Sequence, residues 1–188
     1  MTNYLILVRH SVPEIDGDRP ANTWKLSEEG RVRAERLAEE LKSFEPDVII
    51  SSDEPKAKET AEIVASDLGL ETQLLSGLHE HDRSNVPYLS HDAFQASLRD
   101  FFQEPDKLVF GNETANQAHV RFYQAIHSIL NENVQKTVIV VTHATVISLF
   151  VARLTGSSEL ELWSKLGLPS FVAMDLHSNT VILRSTIV

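Results

Sequence analysis

The chain has 188 residues, of which 42% are hydrophobic and 23% are charged, and its formal net charge is −10 at pH 7. This length and composition predict one globular domain over residues 1–188, with enough apolar residues to bury a core. The negative charge argues against nucleic acid or an anionic membrane as a partner, because both require a basic surface. The sequence contains no cysteine, which excludes disulfides, thiolate zinc sites and a cysteine nucleophile.

The beginning of the sequence, MTNYLILVRH, has no basic region before its apolar run Tyr4–Val8. That run is too short for a signal peptide or a membrane span, and no later run approaches the roughly 18 apolar residues that a transmembrane helix needs. We therefore expect a cytoplasmic protein.

Three short apolar runs, Tyr4–Val8, Val48–Ile50 and Val138–Val141, predict buried strands. Amphipathic helical patterns separate them. Alternation of strands and helices predicts an α/β fold, a three-layer sandwich with a mainly parallel central sheet and helices on both faces.

The helices are predicted from their apolar stripes and from residues typical of helix ends. Ser27 is a candidate N-cap for the first helix, whose stripe is Ala34, Leu37, Ala38 and Leu41. The others are predicted from Pro55 to a stop at Gly69, from a capping box at Thr114–Gln117 to about Leu130, from Thr145 to Leu154, and in a short stretch after a second capping box at Ser158–Glu161.

Two segments depart from this alternation. Residues 81–113, which we call the cap, are polar and aromatic, with one short helical pattern near Asp92–Phe102. We expect an excursion from the sheet whose phenylalanines, Phe94, Phe101, Phe102 and Phe110, form its core. The tail, Phe171–Leu176 and Val181–Ile187, is typical of a β-hairpin.

Polar residues follow the three predicted strands at their carboxyl ends, where ligands bind in open α/β sheets. These residues are Arg9-His10-Ser11 after the first strand, Ser51-Ser52 with Lys56 after the second, and Thr142-His143 after the third. Glu80 follows the apolar Leu78 and is placed to approach the same edge. Two imidazoles and two cations are thus expected to converge at this edge of the sheet, with the Glu80 carboxylate approaching from above.

At this point the sequence resembles a known family, the histidine phosphatase superfamily, also called phosphoglycerate mutase-like. The segments that carry the resemblance are Leu7–His10, Leu26–Gly30, Ser51–Ala61, Leu78–Glu80, Gly111–Thr114 with Arg121, and Val140–His143. Their order and spacing extend over nearly the whole chain.

The resemblance implies a phosphatase that hydrolyses a phosphomonoester through a phosphohistidine intermediate, with no metal and no cofactor. His10 is implied as the nucleophile, with Arg9 and His143 as catalytic and phosphate-binding residues and Lys56 as a further phosphate-binding cation. Glu80 is implied as the general acid and base. We expect nearby phosphate charge and partial desolvation to raise the pKa of Glu80.

The sequence departs from the family pattern at three positions in or near this site. Ser11 stands where the family usually has glycine, and Lys56 replaces a second arginine, which keeps the charge but loses the planar fork. We expect Ser11 to contact the phosphate and Arg83 to compensate for the lost arginine, although Arg83 is equally interpreted as an ordinary loop residue. Asp16, where mutase-type members often have asparagine, is expected to face away from the phosphate.

Two histidines, His79 and His81, flank Glu80. A metal site is one interpretation, but no third and fourth ligands are evident, and we expect both histidines to lie at the rim near the substrate. The substrate is expected to be a small phosphorylated metabolite or a phosphoprotein, and the oligomeric state is left open. Two alternatives remain, an isomerase of the phosphoglycerate mutase type and a weakly active phosphate-binding or interaction protein.

Overall fold

The computed structural model describes residues 3–178 and 181–185 of the chain. Six strands form one sheet: β1 (Tyr4–Arg9), β2 (Val48–Ser51), β3 (Thr72–Leu74), β4 (Val138–Thr142), β5 (Ser170–Asp175) and β6 (Val181–Ser185). Six α-helices accompany it: α1 (Glu28–Leu41), α2 (Pro55–Leu68), α3 (His91–Gln103), α4 (Ala115–Glu132), α5 (Ala144–Thr155) and α6 (Glu159–Lys165). Short 3₁₀ turns occupy Ala21–Thr23 and Lys42–Phe44. None of the described helices has the length and apolar character needed to cross a bilayer.

The strand order in the sheet is β3-β2-β4-β1-β5-β6. The first four of these strands are mutually parallel, β5 is antiparallel to β1, and β6 is antiparallel to β5. The structure thus confirms the mainly parallel sheet and the paired strands of the tail. Asn179, Thr180 and residues 186–188, which complete the predicted hairpin, lie outside the described residues.

Helices cover both faces of the sheet, as predicted. Because successive side chains of a strand point to opposite faces, Leu5 and Leu7 of β1 pack in one buried cluster with α4 and α5. Ile6 and Val8 pack on the other face with α1 and α2. The sheet is therefore buried on both sides, which explains why β1, β2 and β4 are continuous apolar runs.

Local signals fix the ends of several helices. The Ser27 hydroxyl accepts a hydrogen bond from the Gly30 N–H, and Thr114 and Gln117 form a reciprocal capping box. Gly69 ends α2 with a φ of +68°, a left-handed conformation that glycine adopts without strain. These three predictions are confirmed.

The strand β3 was not predicted. It has three residues, it lies at the edge of the sheet, and its side chains Gln73 and Leu74 are exposed. A short edge strand without a buried face has no alternating or continuous apolar pattern, so the sequence gives no signal for it.

The cap contains α3, which begins and ends within one residue of its predicted bounds. Leu98 and Phe101 of α3 are buried against α4 and α5, and the other cap phenylalanines are partly buried beside them. At the base of the cap, the Asn112 N–H donates to the Asp82 carbonyl at 2.7 Å. Gly111 has a φ of +84°, and a β-carbon there would collide with the Asp82 carbonyl. The cap therefore leaves and rejoins the core at nearly the same place.

Candidate active site

The carboxyl ends of β1 and β4 bring two histidines together. Arg9 pairs with Thr142 in the parallel register, so the next residues, His10 and His143, are neighbours. Their ring centroids lie 5.2 Å apart, and both side chains are buried. The predicted convergence of the two imidazoles is thus present.

The hydrogen bond of His10 determines which ring nitrogen is free. Its Nδ1 lies 2.7 Å from the carbonyl oxygen of Ser11. Since a carbonyl oxygen can only accept, the proton of the neutral ring belongs on Nδ1. The lone pair is then on Nε2, which is the atom available to attack phosphorus.

The surroundings of His10 keep the ring neutral. Burial lowers its pKa well below the usual value, and the positive charges of Lys56 and Arg9 lower that pKa further. The hydrogen bond to Ser11 raises it only in part. His10 is therefore unprotonated at neutral pH, as a nucleophile must be.

Only one of the two ring nitrogens of His143 has a hydrogen-bond partner among the described residues. Its Nε2 lies 3.0 Å from the Ser52 hydroxyl, while its buried Nδ1 has no hydrogen-bond partner among the described residues. Burial and then the charge of Lys56 lower the pKa of this histidine as well. One ring nitrogen is therefore available for a ligand placed between the two imidazoles.

Arg9 supplies a buried positive charge at the end of β1. One guanidinium nitrogen donates to the carbonyl of Leu166 at 2.5 Å, and the group lies 5.9 Å from the ring centroid of Trp163. Burial lowers the pKa of Arg9 to about 10, so the guanidinium stays protonated at neutral pH. Its Nε is buried without a partner in the described part of the chain.

Glu80 is buried next to the histidines and is anchored by backbone donors. Its carboxylate accepts hydrogen bonds from the N–H groups of His81 at 2.9 Å and of Thr145 at 3.3 Å. Burial raises the pKa of Glu80, but Arg83, His143 and the His81 N–H outweigh burial, so the net pKa lies below its ordinary value. The desolvation part of the predicted rise is thus outweighed in the ligand-free protein by donors and charges that the sequence did not reveal, and the effect of a bound phosphate stays a prediction.

Lys56 lies in the site but is already paired. Its ammonium group donates to Glu54 at 2.5 Å and to the carbonyl of Ala21 at 2.7 Å, and both charged side chains are buried. Glu54 was not predicted, because an acidic residue just before the first turn of a helix is usually solvent-exposed. The one sequence signal that points to Glu54 is its position inside the Ser51–Ala61 segment.

Ser11 and Arg83, the two other residues predicted to bind phosphate, lie close to the site. Ser11 is buried, donates its N–H to the Thr60 hydroxyl at 3.0 Å, and leaves its own hydroxyl without a partner among the described residues. Arg83 lies 3.9 Å from the Glu80 carboxylate and 4.7 Å from the ring centroid of Phe94. Arg83 therefore lies next to the Glu80 carboxylate, and the binding of phosphate by Arg83 stays a prediction.

The two histidines that flank Glu80 both line the polar cavity beside it, and they differ in burial. The ring of His81 is buried between Phe101 and Phe110, with centroid distances of 4.2 and 4.8 Å, so His81 also belongs to the cap core. His79 is only partly buried. No group of three or more potential metal ligands is clustered in the described residues.

Two cavities adjoin the site. A polar cavity of about 280 Å³ is lined by Glu54, Lys56 and Glu80, and a largely apolar cleft of about 270 Å³ is lined by aromatic residues of the cap. Ala21 and Arg83 border both cavities. Asp16 takes no part in lining either one and pairs with Arg19 at 3.3 Å.

Comparison with known proteins places the chain in a family. The family model for the histidine phosphatase superfamily (branch 1) matches residues 5–185. The protein therefore belongs to the histidine phosphatase superfamily, as its motifs predicted. A search of curated proteins finds no significant sequence match.

Solved structures agree with the fold over nearly the full length. A mycobacterial glucosyl-3-phosphoglycerate phosphatase is 20% identical with a TM-score of 0.76, and the alignment covers 98% of each chain. A phosphoserine phosphatase from Entamoeba histolytica in complex with 3-phosphoglyceric acid is 20% identical, with a TM-score of 0.77 over 97% of this chain and 95% of that one. The Bacillus stearothermophilus protein YhfR is 24% identical, with a TM-score of 0.77 over 98% and 96%.

Proposed function

We propose that this protein is a cytoplasmic phosphatase that hydrolyses a phosphomonoester through a phosphohistidine on His10. The observation that carries the proposal is the neutral, buried His10, whose Nδ1 proton is committed to the Ser11 carbonyl and whose Nε2 is free. Membership in the histidine phosphatase superfamily supports the same reaction class.

In the first step, Nε2 of His10 attacks phosphorus, and the bond between phosphorus and the leaving-group oxygen breaks. Arg9 offsets the charge of the phosphoryl oxygens. His143 donates from Nδ1 while its Nε2 accepts from the Ser52 hydroxyl. The bound phosphate dianion raises the pKa of Glu80, so that the protonated acid delivers its proton to the departing oxygen.

In the second step, a water molecule attacks the phosphohistidine. The Glu80 carboxylate left by the first step takes a proton from this water, phosphorus binds the new oxygen, and the bond to Nε2 breaks. The products are inorganic phosphate and neutral His10. In this proposal the charged side chains of the protein do the work of stabilisation, and no metal takes part.

The two cavities support a small phosphorylated metabolite as the substrate, with a phosphoprotein as the other class. The leaving group must lie beside Glu80, which opens into the polar cavity, and the apolar cleft begins beyond Arg83. The relatives named for phosphoserine and glucosyl-3-phosphoglycerate phosphatase support a small metabolite.

One observation favours a second candidate function, a weakly active phosphate-binding protein. Lys56 and Arg83, which would assist Arg9, both lie beside carboxylates. The same pairing speaks against an isomerase of the mutase type, because a bisphosphorylated intermediate needs additional free cations.

The test is a panel of phosphomonoesters with small polar and with apolar leaving groups, run on the wild type and on His10→Ala. We expect His10→Ala to lose at least about a thousandfold in kcat. We also expect acid quenching to trap a labelled phosphoenzyme only in proteins that keep His10. The matched control is His127→Ala, since His127 is exposed on α4.

Full activity in His10→Ala would exclude the mechanism. Tight binding of inorganic phosphate without turnover of any ester would favour the phosphate-binding protein.

A further inference from the structure

Glu54 is a buried carboxylate that the proposed reaction does not use. It directly precedes α2, but its side chain makes no capping hydrogen bond to that helix. It lines the polar cavity together with Lys56 and Glu80. A buried charge without a role in folding the helix calls for another explanation, because burying a carboxylate is costly.

The contacts of Glu54 are with the site itself. Its Oε2 accepts the hydrogen bond from the Lys56 ammonium at 2.5 Å, and its Oε1 accepts the Glu80 N–H at 2.8 Å. The same Oε1 lies 3.6 Å from Nε2 of His143. One carboxylate therefore lies against three residues of the candidate active site.

The main effect of these contacts is on the charge of Lys56. An ammonium group has three donor protons, and here two of them are taken by Glu54 and by the Ala21 carbonyl. Lys56 lowers the pKa of both His10 and His143, so its charge acts at the place where a phosphate would lie. A phosphate there interacts with an adjacent pair of opposite charges, whose net attraction is much weaker than that of a lone ammonium.

We propose that Glu54 is a specificity-determining residue that cancels the charge of Lys56 and so keeps the affinity of the pocket for the phosphate dianion low. The inference rests on the proposed function, since it assumes that phosphate binds between His10 and His143. A pocket of this kind releases inorganic phosphate after each turnover and is not blocked by free phosphate in its surroundings.

The test is a charge cycle on the pair, read out as the dissociation constant of inorganic phosphate by calorimetry. The net charge at positions 54 and 56 is zero in the wild type and in the double variant. This net charge is positive in Glu54→Gln and negative in Lys56→Gln. We expect Glu54→Gln to bind phosphate about tenfold more tightly than wild type and Lys56→Gln about tenfold more weakly. The double variant is expected to return to near the wild-type value.

The matched control is the pair Lys58 and Glu62, on the same helix but exposed, with 3.8 Å between the charged atoms. Solvent screens this pair, so Glu62→Gln and Lys58→Gln are expected to change the phosphate affinity by less than about twofold.

Equal or weaker phosphate binding by a folded Glu54→Gln protein would overturn the proposal. Replacing a carboxylate that has only a structural role leaves the phosphate affinity unchanged or lowers it, and does not raise it. If Glu54→Gln does not fold, the double variant and Lys56→Gln decide. The double variant lacks the Glu54 carboxylate that Lys56→Gln still has, so it must bind phosphate several-fold more tightly than Lys56→Gln. Equal phosphate affinities of these two proteins reject the proposal.

Binding is measured without turnover, so the two proposals can fail separately. If affinity follows the charge of the pair but no ester is hydrolysed, the role of Glu54 stands and the phosphatase proposal fails. If esters are hydrolysed through His10 but the phosphate affinity does not follow the charge of the pair, the phosphatase proposal stands and the role of Glu54 is rejected. If none of the four proteins binds phosphate, the role of Glu54 is rejected, and the hydrolysis of esters alone decides the phosphatase proposal.

Discussion

Burying His10 and His143 without protons makes the stability of this protein depend on pH. Both rings have pKa values well below the ordinary value, first because of burial and second because of the charge of Lys56. In the unfolded chain the same rings titrate near pH 6.5. Below that pH the unfolded chain therefore binds protons that the folded protein does not, and stability falls as the pH falls.

His143→Gln is expected to reduce this dependence. Each such histidine contributes a slope of up to about 1.4 kcal/mol per pH unit to the free energy of unfolding below pH 6.5. Denaturant titrations between about pH 6.5 and 5 should show a shallower slope for His143→Gln than for wild type, whatever the absolute stabilities. The exposed His127→Gln serves as the control. The same slope in His143→Gln and wild type would mean that His143 is not neutral in the folded protein.

At the scale of single residues, the sequence predicted which side chains lie close together in the site, but not which hydrogen bonds and ion pairs they form. His10, Glu80 and His143 follow apolar segments at positions that the order of motifs defines. The partners of Lys56 depend on side-chain orientation within the cavity, and Glu54 lies two residues away with no pattern to mark it. The lowered pKa of Glu80 in the ligand-free protein was not predicted for the same reason, since Arg83, His143 and the His81 N–H reach its carboxylate only in the folded arrangement.

Arg121 of α4 ties the segment that carries Glu80 to the core. Its guanidinium donates to the carbonyls of Gly77 at 2.8 Å, His79 at 2.9 Å and Glu80 at 3.1 Å, and it pairs with Glu113 at 2.5 Å. This loop has no regular secondary structure, so one side chain satisfies backbone groups that a strand or helix would satisfy itself. The helix thus positions Glu80, the proposed general acid, from outside the site.

Arg121→Met is expected to weaken both the fold and the reaction. Loss of a partly buried charged donor that serves four acceptors should lower the free energy of unfolding by about 2–4 kcal/mol. Displacement of Glu80 should lower kcat at least about tenfold, with little change in the affinity for phosphate. Chemical denaturation and steady-state kinetics measure the two effects, with the exposed Arg36→Met as the control.

A fall in stability without any fall in kcat would show that Arg121 does not position the acid.

Elements were predictable where local chemistry fixes them. Helices α1 and α4 begin at Ser27 and Thr114 because these hydroxyls satisfy N–H groups of the first turn. The strand β3 depends instead on pairing with β2, which is a tertiary contact with no local signal.

At the scale of the whole molecule, two buried apolar clusters, one on each face of the sheet, stabilise the fold. Phe122 of α4 is fully buried on one face, and Leu37 of α1 is fully buried on the other. Because the sheet lies between them, the two side chains belong to separate clusters. The alternation of apolar runs and amphipathic stripes predicted this layering.

Leu37→Ala and Phe122→Ala are each expected to lower the free energy of unfolding by about 2–5 kcal/mol, since each leaves a cavity. Their effects should add within about 0.5 kcal/mol in the double variant, as expected for sites without shared contacts. The exposed Val134→Ala is the control, with a change near zero. A double variant whose loss differs clearly from the sum would show that the sheet transmits strain between its faces.

The order of strands in the sheet has a consequence for the synthesis of this protein. The strand β1 leaves the ribosome well before its two neighbours, β4 and β5, which lie more than a hundred residues later in the chain. At about 5–20 residues per second, the apolar run Leu5–Val8 then waits for many seconds with both edges unpaired. The nascent chain therefore carries this apolar segment with unpaired edges until β4 and β5 have been synthesised, and His10 and His143 can meet only after β4 has formed.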